Sequence, residues 1–254
     1  MSEIKIVIPS HKRAMDVKSK KVLPTAIICV PENQVDEYKY YNSEMEILGH
    51  PNEVIGLSRK RQWIYEQFGD VIMADDDILN FVKVFLDKKD QKELGIKLTV
   101  SEIWGLTQDI YNICKETDIK FFGLNNSANP QVYSGAEPIN LGAFITGGFF
   151  GIIKHDNFFF PPIDHFVRED VFTNCLNAFL NRKCWIDRRF AVCFYKMEAN
   201  QGGCADYRTD DLRKQSYHIL KEYFGNAVRP KKISNKKINR IKNNDEVSLN
   251  IPFW

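Results

Sequence analysis

Three consecutive carboxylates, Asp75-Asp76-Asp77, follow directly on the apolar run Val71-Ile72-Met73-Ala74. A short apolar run reads as a buried strand, so these acids stand where such a strand surfaces. Alternation along an extended chain puts Asp75 and Asp77 on one side, and paired carboxylate oxygens suit a Mg²⁺ or Mn²⁺ ion that also bridges phosphates. The same three residues would equally serve as a polar turn, with an N-cap Asp before the apolar stretch Ile78 to Phe85. Glu169-Asp170 form a second acidic pair, preceded by Arg168 and followed by Val171-Phe172-x-x-Cys175-Leu176-x-x-Phe179-Leu180 in helical spacing. Acids in a first helical turn gain about 0.3–1 kcal/mol from the helix dipole. A carboxylate in that place also suits a general base that removes the proton of an attacking hydroxyl.

The elements that must position these acids alternate. Ile4 to Ile8 is a β-rich run stopped by Pro9, Ala26 to Val30 is another stopped by Pro31, and Val71 to Ala74 is a third. Val35 to Asn42 and Ser58 to Phe68 read as helices, with Ser58 as an N-cap. Strands separated by helices predict a parallel sheet whose ligands gather at the carboxyl ends of the strands. Those ends are Pro9-Ser10, Pro31-Glu32 and Asp75-Asp76-Asp77, so one crevice is expected to collect all three. Farther on, Thr99-x-x-Glu102 is a capping box opening an amphipathic helix with Ile103, Leu106, Ile110 and Ile113 on one face. Phe121 to Leu124 reads as a short strand, Asn125 to Asn140 as a polar loop, and Ala143 to Ile153 as a strand interrupted by Gly147-Gly148. Paired glycines inside a strand fit either a bulge or a close approach of backbone or ligand.

The chain has 254 residues, 44% of them hydrophobic, enough for one sizeable core or two closely fused lobes. Its net charge of +2 leaves the partner open, but Arg229, Lys231, Lys232, Lys236, Lys237, Arg240 and Lys242 form a run without an acid. Such a run is a solvated tail or a contact for phosphates. The six cysteines, at 29, 114, 175, 184, 193 and 204, have no C-x-x-C spacing and read as buried reduced thiols without zinc. No basic-then-apolar leader precedes Ile4, and no stretch nears the roughly 18 apolar residues of a membrane span. A cytoplasmic protein without membrane association is the expectation.

The order of these features resembles the GT-A glycosyltransferase pattern: Ile8-Pro9-Ser10 and Arg13, then Gly56-Leu57-Ser58-Arg59-Lys60-Arg61, Asp75-Asp76-Asp77, Gly147-Gly148, and Glu169-Asp170. A further motif is Gln201-Gly202-Gly203-Cys204-Ala205-Asp206-Tyr207-Arg208-Thr209, followed by a helix from Asp210 to Phe224. With the Arg-Glu-Asp helix before it, this motif is similar to that of the TET-associated glycosyltransferases, phage and eukaryotic enzymes that place sugars on hydroxymethylated pyrimidines in DNA. The resemblance spans about residues 4 to 228. It implies an α/β fold of GT-A type, in which a single Rossmann-like nucleotide-binding sheet is continuous with an acceptor-binding lobe. Residues 1–80 would be the nucleotide-sugar half, 81–228 the acceptor half and 229–254 a basic tail.

The resemblance also implies roles. Pro9, Ser10 and Arg13 would line the nucleotide pocket, with Glu32 near the base, while Ser58 and Arg59 approach the donor phosphate or ribose from a helix N-terminus. Asp77 and then Asp75 are the choices for Mn²⁺ or Mg²⁺, and Asp76 would contact ribose or sugar hydroxyls. Asp170 would be the base, with Glu169 binding a donor hydroxyl or exchanging roles with it. Gly147, Gly148 and Phe149 would shape the acceptor site, where Phe150 and Phe158-Phe159-Phe160 are further aromatic candidates, although such clusters more often form a core than a stacking surface; Arg208 and Arg213 would contact phosphates of DNA. Many GT-A enzymes add a late histidine to the metal, whereas the stretch after Phe194 offers Glu198, Asn200 and Gln201. His155 and His165 are the nearest histidines, and beside phenylalanines they fit packed structural roles as well. The expected activity is metal-dependent, inverting transfer from a UDP-sugar to a hydroxymethylated base in DNA, in the host cytoplasm if the chain is phage-encoded. Transfer to a glycan and a non-catalytic nucleic-acid-binding module are the alternatives.

Overall fold

The structure, a computed structural model, describes residues 3–85, 95–195, 207–231 and 247–251. Four parallel strands form its first half: β1 (Lys5–Pro9), β2 (Ile27–Pro31), β3 (Glu46–His50) and β4 (Val71–Ala74), in the order β3-β2-β1-β4. Parallel neighbours cannot be joined by tight turns, and here helix α1 (Val35–Tyr41) links β2 to β3, and α2 (Leu57–Phe68) links β3 to β4. Both faces are covered, so β2 and β4 are buried at every residue and carry continuous apolar runs rather than alternation. Strand β3 is absent from the sequence expectations. Its sequence, Glu-Ile-Leu-Gly-His, is short and polar at both ends, as suits a half-buried strand at the edge of the sheet.

The same sheet continues past β4. Strand β9 (Phe149–Ile152) lies antiparallel to β4, and next come β7 (Phe121–Asn125), β10 (Trp185–Phe194), β5 (Ile78–Lys83) and β6 (Ile96–Lys97), with β8 (Ile139–Asn140) also on β10. The result is one ten-stranded mixed α/β sheet, Rossmann-like in its first four strands. The expected strand from Ala143 to Ile153 shrinks to Phe149–Ile152, because the glycine pair runs beyond the end of β4 and borders the acidic turn instead of a strand.

Helix α3 (Val100–Glu116) begins with the capping box read from Thr99 and Glu102, both halves of which are formed. Its buried side is Ile103, Thr107, Ile110, Tyr111 and Cys114, whereas Ile113 is exposed, a rotation of the expected face by one position toward the sheet. Ser58 is not the N-cap of α2. That position is Gly56, held at φ +84°, where a side chain would strike the backbone of His165. Two further α-helices among the described residues are α4 (Glu169–Asn181) and α5 (Asp210–Phe224).

Cys29, Cys114, Cys175 and Cys184 are buried thiols and Cys193 is half-buried; Cys204 lies outside the described residues. The basic run from Lys232 to Lys242 lies outside them too. Its flanks are not a loose tail: β11 (Val228–Pro230) pairs antiparallel with β12 (Val247–Leu249), and Val228 and Ile251 are buried in the core cluster that also holds Phe172 and Leu220. Apolar residues at both ends of the run explain the difference. No helix among the described residues is long and apolar enough to cross a membrane.

Candidate active site at the carboxyl edge of the sheet

Register alone brings the glycine pair to the acids. Ala74 pairs with Phe149 across β4 and β9, so the next step outward sets Gly148 against Asp75, and Asp75 N–H donates to Gly148 O at 2.8 Å. Gly147 then faces the first turn of α4. A Cβ there would lie 3.1 Å from Arg61 Nη1, 3.1 Å from Asp170 Cβ and 3.5 Å from Glu169 Oε1. The buried Asn174 side chain clasps helix to loop, its Nδ2 donating to Ile145 O at 2.7 Å and its Oδ1 accepting from Ile145 N–H at 2.8 Å. Gly147→Ala should therefore lower turnover by about tenfold or more through displaced carboxylates, with the melting temperature little changed. Wild-type kinetics in that variant would show that the pair can shift without consequence.

Arg61 joins the two acidic groups. It is 1% exposed, and its guanidinium donates from Nη2 to Asp75 Oδ1 (2.9 Å) and Gly147 O (2.7 Å) and from Nη1 to Glu169 Oε1 (3.1 Å), above the Phe150 ring. The planar fork is what lets one side chain serve three acceptors. Of the Asp75 side chain 37% reaches solvent, but protein is crowded around its carboxyl. That burial, resisted by Arg61 and reinforced by Asp77, Asp76 and Glu169, pushes its carboxyl up to about 7. Asp170 goes up to about 6, chiefly by burial and then by the Glu169 charge, against the Val171 N–H, Arg61 and Arg208. A carboxylate with a pKa near neutrality is matched to proton transfer.

Asp76 points elsewhere. It is 5% exposed and fully engaged, accepting from Ser10 Oγ (2.5 Å) and from Arg13 Nη1 (2.7 Å). The Tyr38 hydroxyl sits 2.8 Å from Ser10 Oγ and accepts from Arg13 N–H at 2.9 Å, and burial pushes it up to about 12. Pro9, Ser10, Arg13, Asp75, Asp76, Asp77, Gly147, Gly148, Glu169 and Asp170 thus share one edge of the sheet. Lys60 joins them, buried, with its ammonium on Ser10 O.

Other expected positions fall apart from this cluster. Ser58 is buried and donates to Pro161 O at 2.6 Å, and Arg59 pairs with Asp164 at 2.6 Å. Glu32 is exposed just beyond β2, its stem packed against Gly49. Phe149 turns into the core, 4% exposed with its ring 5.0 Å from Phe81, and Phe150, Phe158 and Phe160 are buried around Tyr65 and one another. These aromatics belong to the core. Phe194 and Tyr195 instead lie exposed beside the acids, each by more than a third: the Phe194 ring lies on Gly148, and Tyr195 N–H donates to Asp77 O at 2.9 Å.

The Tyr207-Arg208 pair comes to the same neighbourhood. Tyr207 OH accepts from Leu57 N–H at the start of α2 (3.3 Å), its ring stacks on His165 (4.4 Å), and the Arg208 charge favours ionised Asp170. His155 is structural, bonded through Nδ1 to Ile153 O and through Nε2 to Asn181. Glu198, Asn200, Gln201 and the Gly-Gly-Cys part of the motif lie outside the described residues. No group of three or more metal-type side chains occurs among the described ones, so the fit to a divalent cation rests on Asp75 and Asp77. Two carboxylates with phosphate oxygens and water suffice for Mg²⁺.

Residues 4–123 match the family model described as TET-Associated Glycosyltransferase. This chain resembles that family. The match supports a glycosyltransferase, and it takes in Ser10, Arg13, Arg61 and the three acids but stops short of Gly147, Glu169 and Asp170. No curated protein matches the chain. Within the matched residues, Arg61 has no role of its own among the sequence expectations. One signal was available: residues 58, 61, 64 and 65 form the buried stripe of α2, which sets Arg61 on the inner face with Ile64 and Tyr65.

Proposed function

We propose that the chain is a metal-dependent, inverting GT-A glycosyltransferase that moves a sugar from a UDP-sugar to the hydroxymethyl group of a modified pyrimidine in DNA. The observation that carries this reading is Arg61, which ties Asp75, at the expected donor end, to Glu169, beside the expected base. Transfer needs both ends within one sugar's reach. In the reaction, Asp170 accepts the proton of the acceptor hydroxyl as its oxygen bonds to the anomeric carbon, and the bond from that carbon to the diphosphate oxygen breaks, releasing UDP. A divalent cation held by Asp77 and Asp75 would neutralise the departing diphosphate. Glu169 would hold a donor hydroxyl, and Ser10 and Arg13, both bonded to Asp76, would frame the nucleotide. For the acceptor, the exposed rings of Phe194 and Tyr195 beside the acids suit stacking of an extruded base, and Lys18, 4.3 Å from the centre of the Tyr195 ring, adds a cation. The reaction would take place in the cytoplasm, that of the host if the chain is phage-encoded.

The decisive assay incubates hydroxymethylated DNA with the protein, Mn²⁺ and a mixture of UDP-sugars, and weighs the released nucleosides. A nucleoside heavier by one sugar is expected with the parent protein, and none with Asp77→Asn, whose fold should be intact. Full activity in excess chelator, or near-normal activity of Asp77→Asn, sinks the metal assignment. Transfer to a glycan but not to DNA would redirect the acceptor.

A further inference from the structure

Ser19 is 56 positions from the acidic turn in sequence, within the short 3-10 helix Lys18–Lys21, and is fully buried. Its hydroxyl donates to Asp75 O at 2.5 Å and accepts from Ile78 N–H at 2.8 Å, while Ser19 N–H donates to Asp76 O at 3.2 Å. Asp75 C=O and Ile78 N–H are the first and fourth groups of the turn that carries Asp76 and Asp77. In an ordinary four-residue turn those two groups bond to each other. Here one hydroxyl takes up both, so the neighbouring helix sets the shape of the turn.

We propose that Ser19 is a positioning residue whose inserted hydroxyl fixes the width of the Asp75–Ile78 turn and thereby the spacing of the Asp75 and Asp77 carboxylates offered to a divalent cation. The inference rests on the reading of this crevice as a donor site. Of the three carbonyls in the acidic run, Ser19 holds two, and Tyr195 N–H holds that of Asp77. The anchor is itself rigid: Ser19 O accepts from Val22 N–H (3.1 Å) and Leu23 N–H (2.8 Å), and Ala14, Val17 and Leu23 around it belong to the core. A hydroxyl on a packed helix does not drift, so neither do the carbonyls bonded to it. Alanine at this position frees Asp75 C=O and Ile78 N–H to close on each other, which pulls the carboxylates out of place without removing one.

The test compares the parent with Ser19→Ala and Ser19→Thr, measuring Mn²⁺ binding by titration without donor, UDP-sugar kinetics and thermal melting. Ser19→Ala should fold, bind Mn²⁺ more weakly and lose about 10- to 100-fold in kcat/KM, the scale expected of a misplacement near 1 Å. Ser19→Thr keeps the hydroxyl and should restore most of both. Parent-like Mn²⁺ affinity and kinetics in Ser19→Ala would overturn the proposal, and so would its failure to fold, which would make Ser19 a clamp of stability only. If Ser19→Thr does not fold, the Ala variant against the parent decides alone. A parent protein that neither binds Mn²⁺ nor turns over any UDP-sugar is a different result: it removes the donor-site reading, and Ser19's role with it.

Discussion

Asp170→Asn is expected to lower turnover by about 10²–10⁴-fold while donor affinity changes little, because the lost interaction belongs to the transition state. The pH dependence has a definite sign. Burial pushes the Asp170 carboxyl up to about 6 and that of Asp75 up to about 7, and base and metal ligand must both be ionised, so the parent's rate should begin to fall as pH drops through 7 and fall more steeply below 6. The variant should lose the steeper part and keep the shallower one. Stability runs the other way: between the ordinary carboxylate value of 3.8 and about 6 the folded acid holds a proton that the unfolded chain has released, so its contribution to stability falls as pH rises through that window and is level above it. Asp170→Asn keeps an acceptor for Val171 N–H, 2.8 Å away, and should melt at or above the parent's temperature at pH 8. Equal loss of UDP affinity and turnover would assign Asp170 to capping α4 and not to catalysis.

The second large effect is expected at Arg61. Removing one partner of a buried ion pair strands the other, and Arg61→Gln strands Glu169, whose side chain is 9% exposed, together with Asp75. We expect a loss of about 3 kcal/mol, the low end for such pairs because Asp75 reaches solvent. Activity should disappear with it, since Asp75 and Glu169 lose their common support. Arg61→Lys keeps the charge but not the fork and should fall between. Chemical denaturation and donor turnover measured on the same preparations separate the two effects; parent-like stability in Arg61→Gln would mean that the carboxylates take up protons instead.

Much of the framework was legible because its signals are local. The runs ending at Pro9, Pro31 and Asp75 became β1, β2 and β4, Thr99-x-x-Glu102 formed its capping box, and Asp210 to Phe224 is helical throughout. Local signals fail where a partner lies far along the chain. Arg61 meets Glu169 across 108 positions, and the hydroxyl of Ser19 meets Asp75 across 56, so nothing beside either residue announces the contact. Glycines 147 and 148 fit a bulge and a close approach alike, and that Arg61 and the Phe194 ring approach them follows only from register. The phenylalanine clusters stay open for the opposite reason: composition fits a core and a stacking surface alike, and Phe158 and Phe160 are core.

The unbroken sheet has a consequence for how such a protein can change. Strand β4, which delivers the acids, finds its outer neighbour in β9, some seventy-five residues later, and the chain after the acids immediately becomes β5 on the far side of β10. A cut near residue 80 would expose the edge of β4 as an open template for association with other chains. The stretch up to residue 80, the proposed nucleotide-sugar half, is therefore not a module that recombination can lift out and join to a new partner half. New specificity is more readily reached through the segments outside the ladder, around Gly147, Tyr195 and Tyr207, where substitutions leave the strand order untouched.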